Sequence, residues 1–248
     1  MSPARDGTSP HAHTRGRKRN LGRINLPIHR LLYYITDRKA FAPDEPTRQK
    51  RLLEKISETA RAGVDYIQLR EKDLPTRALE SLSRETVLLL QDLQVQHPQL
   101  RTKLLINTRT DVALASRADG VHLRSEDISP IDLRKIWEGT APPERQVPII
   151  GVSCHSPTEV MKAEADRATF AVFAPVFGKK DAPASKPVGL HQLRETCKAK
   201  IPVLALGGIT IQNAQSCLEA GAAGIAAIRL FQENDVAKIV DEVRRFVR

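Results

Sequence analysis

The stretch Tyr66-Ile67-Gln68-Leu69-Arg70-Glu71-Lys72-Asp73 decides the reading of this chain, because it spends a strand on polar groups. Successive strand side chains alternate faces, so Ile67 and Leu69 share one face while Gln68, Arg70 and Lys72 share the other. The apolar face suits packing against covering helices. The other gathers an amide, a guanidinium and an ammonium, a set that fits a phosphate or pyrophosphate. An exposed edge strand with a wet polar face is the alternative, and the recurrence of the same design along the chain weighs against it.

The 248 residues suffice for one large α/β domain or two small ones. A hydrophobic content of 41% is ordinary for a soluble globular protein. No apolar run is long enough to cross a bilayer, and the N-terminal stretch lacks the apolar segment of a secretory signal. Three cysteines, Cys154, Cys197 and Cys217, show no CxxC spacing. That points to a reducing, cytoplasmic setting and away from a disulfide framework or a structural zinc site. Of the net charge of +10, residues 1–30 carry +6 and the other 218 only +4. The run Arg15-Gly16-Arg17-Lys18-Arg19 has almost nothing to bury, so residues 1–30 are expected to be a disordered basic arm. A solvated tail is favoured over a nucleic-acid or membrane tether, since the rest of the chain carries no recognisable nucleic-acid motif.

Eight short β-rich runs alternate with helical patterns: Leu31–Thr36, Tyr66–Arg70, Lys103–Asn107, Gly120–Leu123, Pro148–Ser153, Phe170–Val176, Pro202–Gly207 and Gly224–Arg229. Amphipathic stretches lie between them at Arg48–Ala62, Arg77–Leu93, Ile131–Glu138, Thr158–Ala165, Leu190–Lys198 and Ile211–Ala220, with a last helix at Asp235–Val247. That count predicts an α/β fold, a single (β/α)8 TIM barrel over residues 31–248. A doubly wound open sheet is the runner-up, but the first strand runs into Thr36-Asp37-Arg38 with no glycine fingerprint. Three similar segments, beginning at Ala62, Ala118 and Ala220, place small residues where a helix ends and a strand begins, and read as tight turns.

Active groups of such a barrel sit at the C-terminal ends of its strands. Gly207-Gly208 suits either a plain turn or a phosphate site, where its backbone would approach an oxyanion, the helix from Ile211 would aim N–H groups at it, and Arg229 would stand on the neighbouring strand. Asp127, just past strand four, suits either a Mg²⁺ ligand beside a pyrophosphate or a cap for the helix beginning near Pro130. His155, after strand five, suits either a proton carrier or a ring satisfied by loop carbonyls. Cys154 reads as a packing residue.

With these stretches in view, Tyr34-Ile35-Thr36-Asp37, Gln68-Leu69-Arg70-Glu71-Lys72-Asp73, Asp119-Gly120-Val121-His122-Leu123, Gly151-Val152-Ser153-Cys154-His155 and Gly207-Gly208-Ile209-Thr210 resemble the thiamine phosphate synthase/TenI superfamily, over residues 31–231. The resemblance implies a transferase that joins hydroxymethylpyrimidine pyrophosphate to thiazole phosphate. It implies that Gln68, Arg70 and Lys72 hold the pyrimidine pyrophosphate, with Asn107 and Ser153 beside the ring. Lys179 would contact the pyrophosphate, Asp127 and Thr108 would bind Mg²⁺, and Gly207, Gly208, Ile228 and Arg229 would line the thiazole phosphate site. Arg70, Lys72, Lys179 and His155 are the residues assigned to catalysis. Small phosphorylated substrates are the expected partners, not a membrane or nucleic acid, and homo-oligomer formation stays open.

Two positions depart from the family pattern. Synthases carry Asp after the strand-three Asn, where this chain has Thr108, and a Thr-x-Thr-Lys loop after strand six, where it has Phe177-Gly178-Lys179-Lys180. Two alternatives follow: a thiazole tautomerase of the same superfamily, metal-independent and using a histidine that matches His155, or a non-catalytic thiamine-phosphate-binding regulatory protein.

Overall fold

The computed structural model describes residues 29–145, 147–178 and 186–246. Of the expected arm, residues 1–28 lie outside the described residues. His29 and Arg30 lie against the barrel: His29 pairs with Asp65, and Arg30 is buried.

Eight parallel strands close into a barrel in sequence order: β1 (Leu31–Ile35), β2 (Tyr66–Leu69), β3 (Lys103–Asn107), β4 (Gly120–Leu123), β5 (Ile149–Cys154), β6 (Phe170–Phe173), β7 (Val203–Ala205) and β8 (Gly224–Ala227). Pairing of β1 with β8, Leu31 opposite Gly224 and Tyr34 opposite Ala227, completes the ring. Around it run α1 (Glu45–Arg61), α2 (Thr76–Gln96), α3 (Thr110–Ser116), α4 (Pro130–Thr140), α5 (Pro157–Ala165), α6 (Gly189–Thr196), α7 (Ile211–Glu219), the single turn α8 (Arg229–Gln232) and α9 (Val236–Arg245).

Strand alternation sorts the side chains as expected. Leu32, Tyr34, Ile67, Leu69, Leu104 and Ile106 face outward and pack under the helices. Tyr33, Ile35, Leu105, Phe170, Val172, Leu204 and Ala226 fill the barrel. Within it Tyr66 stacks on Phe170 at 4.9 Å, and Tyr33 meets both rings edge-on. Helix starts follow local chemistry: Asp44, Ser129, Ser156 and Asp235 each accept a hydrogen bond from the first turn, and α1, α4 and α5 carry a proline there.

At the N-terminal end of the strands, carboxylates tie neighbours together. Asp65 accepts from Leu32 N at 2.8 Å and Asp119 from Leu104 N at 2.9 Å. The turns flagged by small residues are present, with Gly63 and Gly221 at positive φ. That end therefore holds the barrel together and leaves the other end for chemistry.

Some boundaries differ from the sequence reading. β2 stops at Leu69, so Lys72 sits on a turn and pleat alternation does not set its direction. β6 stops at Phe173, because Pro175 offers no N–H to the ladder. β8 stops at Ala227, because Arg229 opens α8.

Candidate active site

All strand C-terminal ends open on one mouth, as a closed parallel barrel requires. On the β1–β2 side, the acids of the opening stretch are held by Arg38. Arg38 is only 2% exposed. Its guanidinium donates to Glu71 Oε2 at 3.1 Å, to both Asp73 oxygens at 2.8 and 3.0 Å, and to Glu45 Oε1 at 2.6 Å. Hydrogen bonds from Arg38 hold the Asp73 carboxyl well below the usual carboxylate range. Thr36 Oγ1 donates to Glu71 and accepts from Arg70 N at 3.0 Å. Gln232 of α8 adds a brace, donating to the Asp37 carbonyl at 2.7 Å and accepting from the Tyr34 hydroxyl at 3.2 Å. Of the alternating charges in this loop, buried Glu71 and exposed Asp73 are thus both paired with Arg38. Arg70 is half-buried and Lys72 is exposed.

Strands β3 to β5 carry the polar centre. His122 is 3% exposed and points into the barrel, with Nδ1 3.1 Å from the Tyr33 hydroxyl and Nε2 2.8 Å from Ser153 Oγ. Burial pushes its pKa down to about 3, Arg70 pushes the same way, and Asp127 opposes. The ring thus feels a cation from the β2 loop and a carboxylate from the β4 loop, and touches Ser153 directly. Gln68, on β2, is only 2% exposed. The ring fits because its neighbour across β4–β5 is Gly151. A Cβ there would lie 2.8 Å from His122 Nδ1 and 2.7 Å from Phe170 Cζ.

Asn107 ends β3 half-buried, and Thr108 follows at φ 57, with its N–H on the His122 carbonyl at 2.9 Å. Asp127 is not the cap of α4; Ser129 is. Asp127 instead accepts from Arg124 N at 2.8 Å and from its guanidinium at 3.0 and 3.2 Å. Among the described residues no three acidic, histidine or cysteine groups converge on a metal position. This donor set does not suit a resident metal. It does fit Mg²⁺ arriving on a pyrophosphate, since that ion takes one or two carboxylates plus substrate oxygens. His155 is exposed, and its Nδ1 lies 2.7 Å from the Ala174 carbonyl. A carbonyl only accepts, so Nδ1 bears the proton and Nε2 of the neutral ring is left as an acceptor. Cys154 is buried, and burial pushes its thiol up to about 12, as befits packing.

On the β6–β8 side, Gly207 (φ 99) and Gly208 (φ 62) turn the chain between β7 and α7. A Cβ on Gly208 would lie 2.6 Å from the Gly178 carbonyl. The glycine pair is therefore needed to seat the β6 loop on the β7 loop, beyond any role with an oxyanion. Thr210 N donates to Asn213 Oδ1 at 2.9 Å in the first turn of α7. Ile228 is half-buried, and Arg229 is exposed at the start of α8, 3.9 Å from Glu233. Lys179 lies outside the described residues. A cavity of about 690 Å³ lies between α1 and α2 on the outer layer, lined by Lys50, Leu53, Glu54, Arg61, Glu85 and Leu89. It contains none of the candidate residues.

The sequence reading assigned no role to Tyr33, Arg38 or His122. Two acids alternating with two cations in Gln68–Asp73 were a signal that an opposing cation was needed. Nothing in the sequence paired Tyr33 with His122 across 89 positions.

A parallel eight-stranded barrel that gathers cations, amides and a carboxylate at the C-terminal mouth defines a TIM-barrel enzyme acting on phosphorylated molecules. The chain belongs to the thiamine monophosphate synthase family, whose model matches residues 32–231. It is 37% identical over 200 residues to a thiamine-phosphate synthase of Roseiflexus castenholzii, covering 80% of this chain and 79% of that one. To the thiamine-phosphate synthase of Pyrococcus furiosus it is 35% identical over 226 residues, covering 90% and 98%. The solved thiamine phosphate pyrophosphorylase of Pyrococcus furiosus superposes with a TM-score of 0.67 at 32% identity, covering 87% of this chain and 94% of that one. A 3-hexulose-6-phosphate synthase structure, 17% identical with a TM-score of 0.60, shares the fold.

Proposed function

We propose that the chain is a thiamine-phosphate synthase, joining hydroxymethylpyrimidine pyrophosphate to thiazole phosphate and releasing pyrophosphate. The observation that carries this is the pairing of charge in Gln68–Asp73: Arg38 takes up Glu71 and Asp73, the two acids that alternate with Arg70 and Lys72. A loop organised in this way suits a polyanion at the mouth.

In this reading Gln68, Arg70, Lys72 and Lys179 grip the pyrophosphate, while Asn107 and Ser153 flank the pyrimidine. Gly207, Gly208, Ile228 and Arg229 receive the thiazole phosphate. Asp127 and Thr108 would hold Mg²⁺, which when bound offsets charge gained by the leaving pyrophosphate. The C–O bond breaks with its electron pair passing to the bridging oxygen, and the thiazole nitrogen attacks the pyrimidine methylene. Fixed cations aimed at the departing group lower that barrier. No protein nucleophile takes part. Among the described residues no helix is long and apolar enough to cross a membrane. The proposed compartment is the cytoplasm, which suits three cysteines without a disulfide.

The tautomerase reading is favoured by one observation, the fixed tautomer of His155 with an acceptor Nε2 at the mouth. One assay separates the two. Purified protein is incubated with both synthase substrates and Mg²⁺, and in parallel with thiazole carboxylate phosphate alone. Thiamine phosphate in the first tube is the expected result. Aromatisation in the second tube, with none in the first, would replace the synthase by the tautomerase.

A further inference from the structure

We propose that Gln232 and Thr36 are positioning residues, joined across the β1 loop in a buried hydrogen-bonded strap that sets the spacing between the turn bearing Arg229 and the loop bearing Arg70. What those arginines hold, thiazole phosphate at Arg229 and pyrimidine pyrophosphate at Arg70, rests on the synthase reading.

Closure of the barrel puts β1 between β8 and β2. The loop that follows β1 therefore lies between two halves of the mouth, and it is bonded to both. On the β8 side, Gln232 closes the turn that Arg229 opens, with its N–H on the Ile228 carbonyl at 3.0 Å. Its side-chain amide donates to the Asp37 carbonyl at 2.7 Å and accepts from the Tyr34 hydroxyl at 3.2 Å. A carbonyl only accepts, so the two ends of that amide cannot be exchanged.

One residue before Asp37, Thr36 makes the link to β2. Its N–H donates to the Gln68 carbonyl at 3.0 Å. Its hydroxyl gives its one proton to Glu71 and accepts the Arg70 N–H at 3.0 Å. The Arg38 N–H meets the same Glu71 carboxylate at 3.1 Å. Thr36 and Tyr34 are fully buried, and Glu71 and Gln232 are less than a tenth exposed, so water does not compete for these bonds. Joining two guests needs their reacting atoms about 3–3.5 Å apart, and a misplacement of about 1 Å costs about a hundredfold in rate. The strap thus governs bond formation between the guests more than the grip on either one.

Gln232→Met keeps the length of the side chain and removes both its bonds; Thr36→Val keeps the shape and removes both hydroxyl bonds. Each should lower kcat for thiamine phosphate formation about tenfold, with KM for each substrate within about twofold of the wild type. Thr36→Ser, which keeps the hydroxyl, should restore the rate. The double variant should be no slower than the slower single variant, and falls that multiply would refute the link. A raised KM for one substrate at unchanged kcat would confine the residue to one subsite and overturn the spacing role. A lowered Tm with unchanged kinetics would reduce the strap to scaffold. Amide hydrogen exchange supplies a readout without turnover, so a broken strap is distinguished from a failed synthase assay. Exchange at the Arg70 N–H should quicken about tenfold in Gln232→Met, although that residue lies on the β8 side, and an unchanged rate would overturn the strap.

Discussion

Replacing Thr108 with Asp probes the backbone and the metal site together. Thr108 sits at φ 57, a left-handed conformation held by its N–H on the His122 carbonyl. For residues other than glycine that conformation costs roughly 1–2 kcal/mol, with β-branched residues at the severe end and Asp or Asn at the mild end. The loop cannot relax without breaking its bond to β4, so the gain on substitution should be about 1 kcal/mol. For a chain of this size that raises Tm by about 2–4 °C. The new carboxylate also enters next to the strand that leads to Asp127, giving Mg²⁺ a second negatively charged ligand. Thr108→Asn is the control, with similar backbone tolerance and no charge. Both variants should melt higher in a scanning calorimeter. Only Thr108→Asp should need less Mg²⁺ for half-maximal thiamine phosphate formation. A lower Tm in both would refute the backbone argument. An unchanged Mg²⁺ requirement in Thr108→Asp would remove position 108 from the metal site.

Arg38→Met should destabilise the barrel by about 3–5 kcal/mol in urea titration, because it leaves buried Glu71 without its cation; a loss below about 1 kcal/mol would show that Glu71 is paired otherwise. Gly151→Ala forces a methyl against Phe170 and His122, so a loss of about 1–3 kcal/mol is expected, and an unchanged Tm would contradict the packing. The unfolded chain protonates a histidine near about pH 6.5, whereas folded His122 does so only near 3. Between those values the unfolded state binds more protons, so His122 makes stability fall as pH drops through that window. His122→Phe should flatten the change in urea midpoint between pH 7 and pH 4.5, and an identical slope would place the proton elsewhere.

Much of the fold was legible because strand chemistry is local. The apolar alternation in Tyr66–Leu69 and the small residues after Ala62, Ala118 and Ala220 each act within a few positions. Helix α3 escaped because it is short and ends on Arg117 in a left-handed conformation, with no glycine to mark its stop. The cations of the mouth were legible because Arg70 and Lys72 have no business in a strand core. Three other features were hidden, two of them because they depend on contacts distant in sequence. Arg38 looks like a solvated loop residue until Glu71 and Asp73, 33 and 35 positions on, close over it. Tyr33 and His122 look like ordinary strand residues until the barrel closes. Asp127 reads equally as a Mg²⁺ ligand or a cap until Ser129 takes the cap and Arg124 bonds its carboxylate, a local choice between neighbouring polar residues.

The central claim, that one mouth is built to receive a pyrophosphate, is tested most directly by a crystal structure of the protein soaked with hydroxymethylpyrimidine pyrophosphate and Mg²⁺. Phosphorus density is expected among Gln68, Arg70, Lys72 and Asp127, with the pyrimidine ring within hydrogen-bond reach of Ser153. Ligand density confined to the groove between α1 and α2, with the strand ends holding only water, would contradict the account.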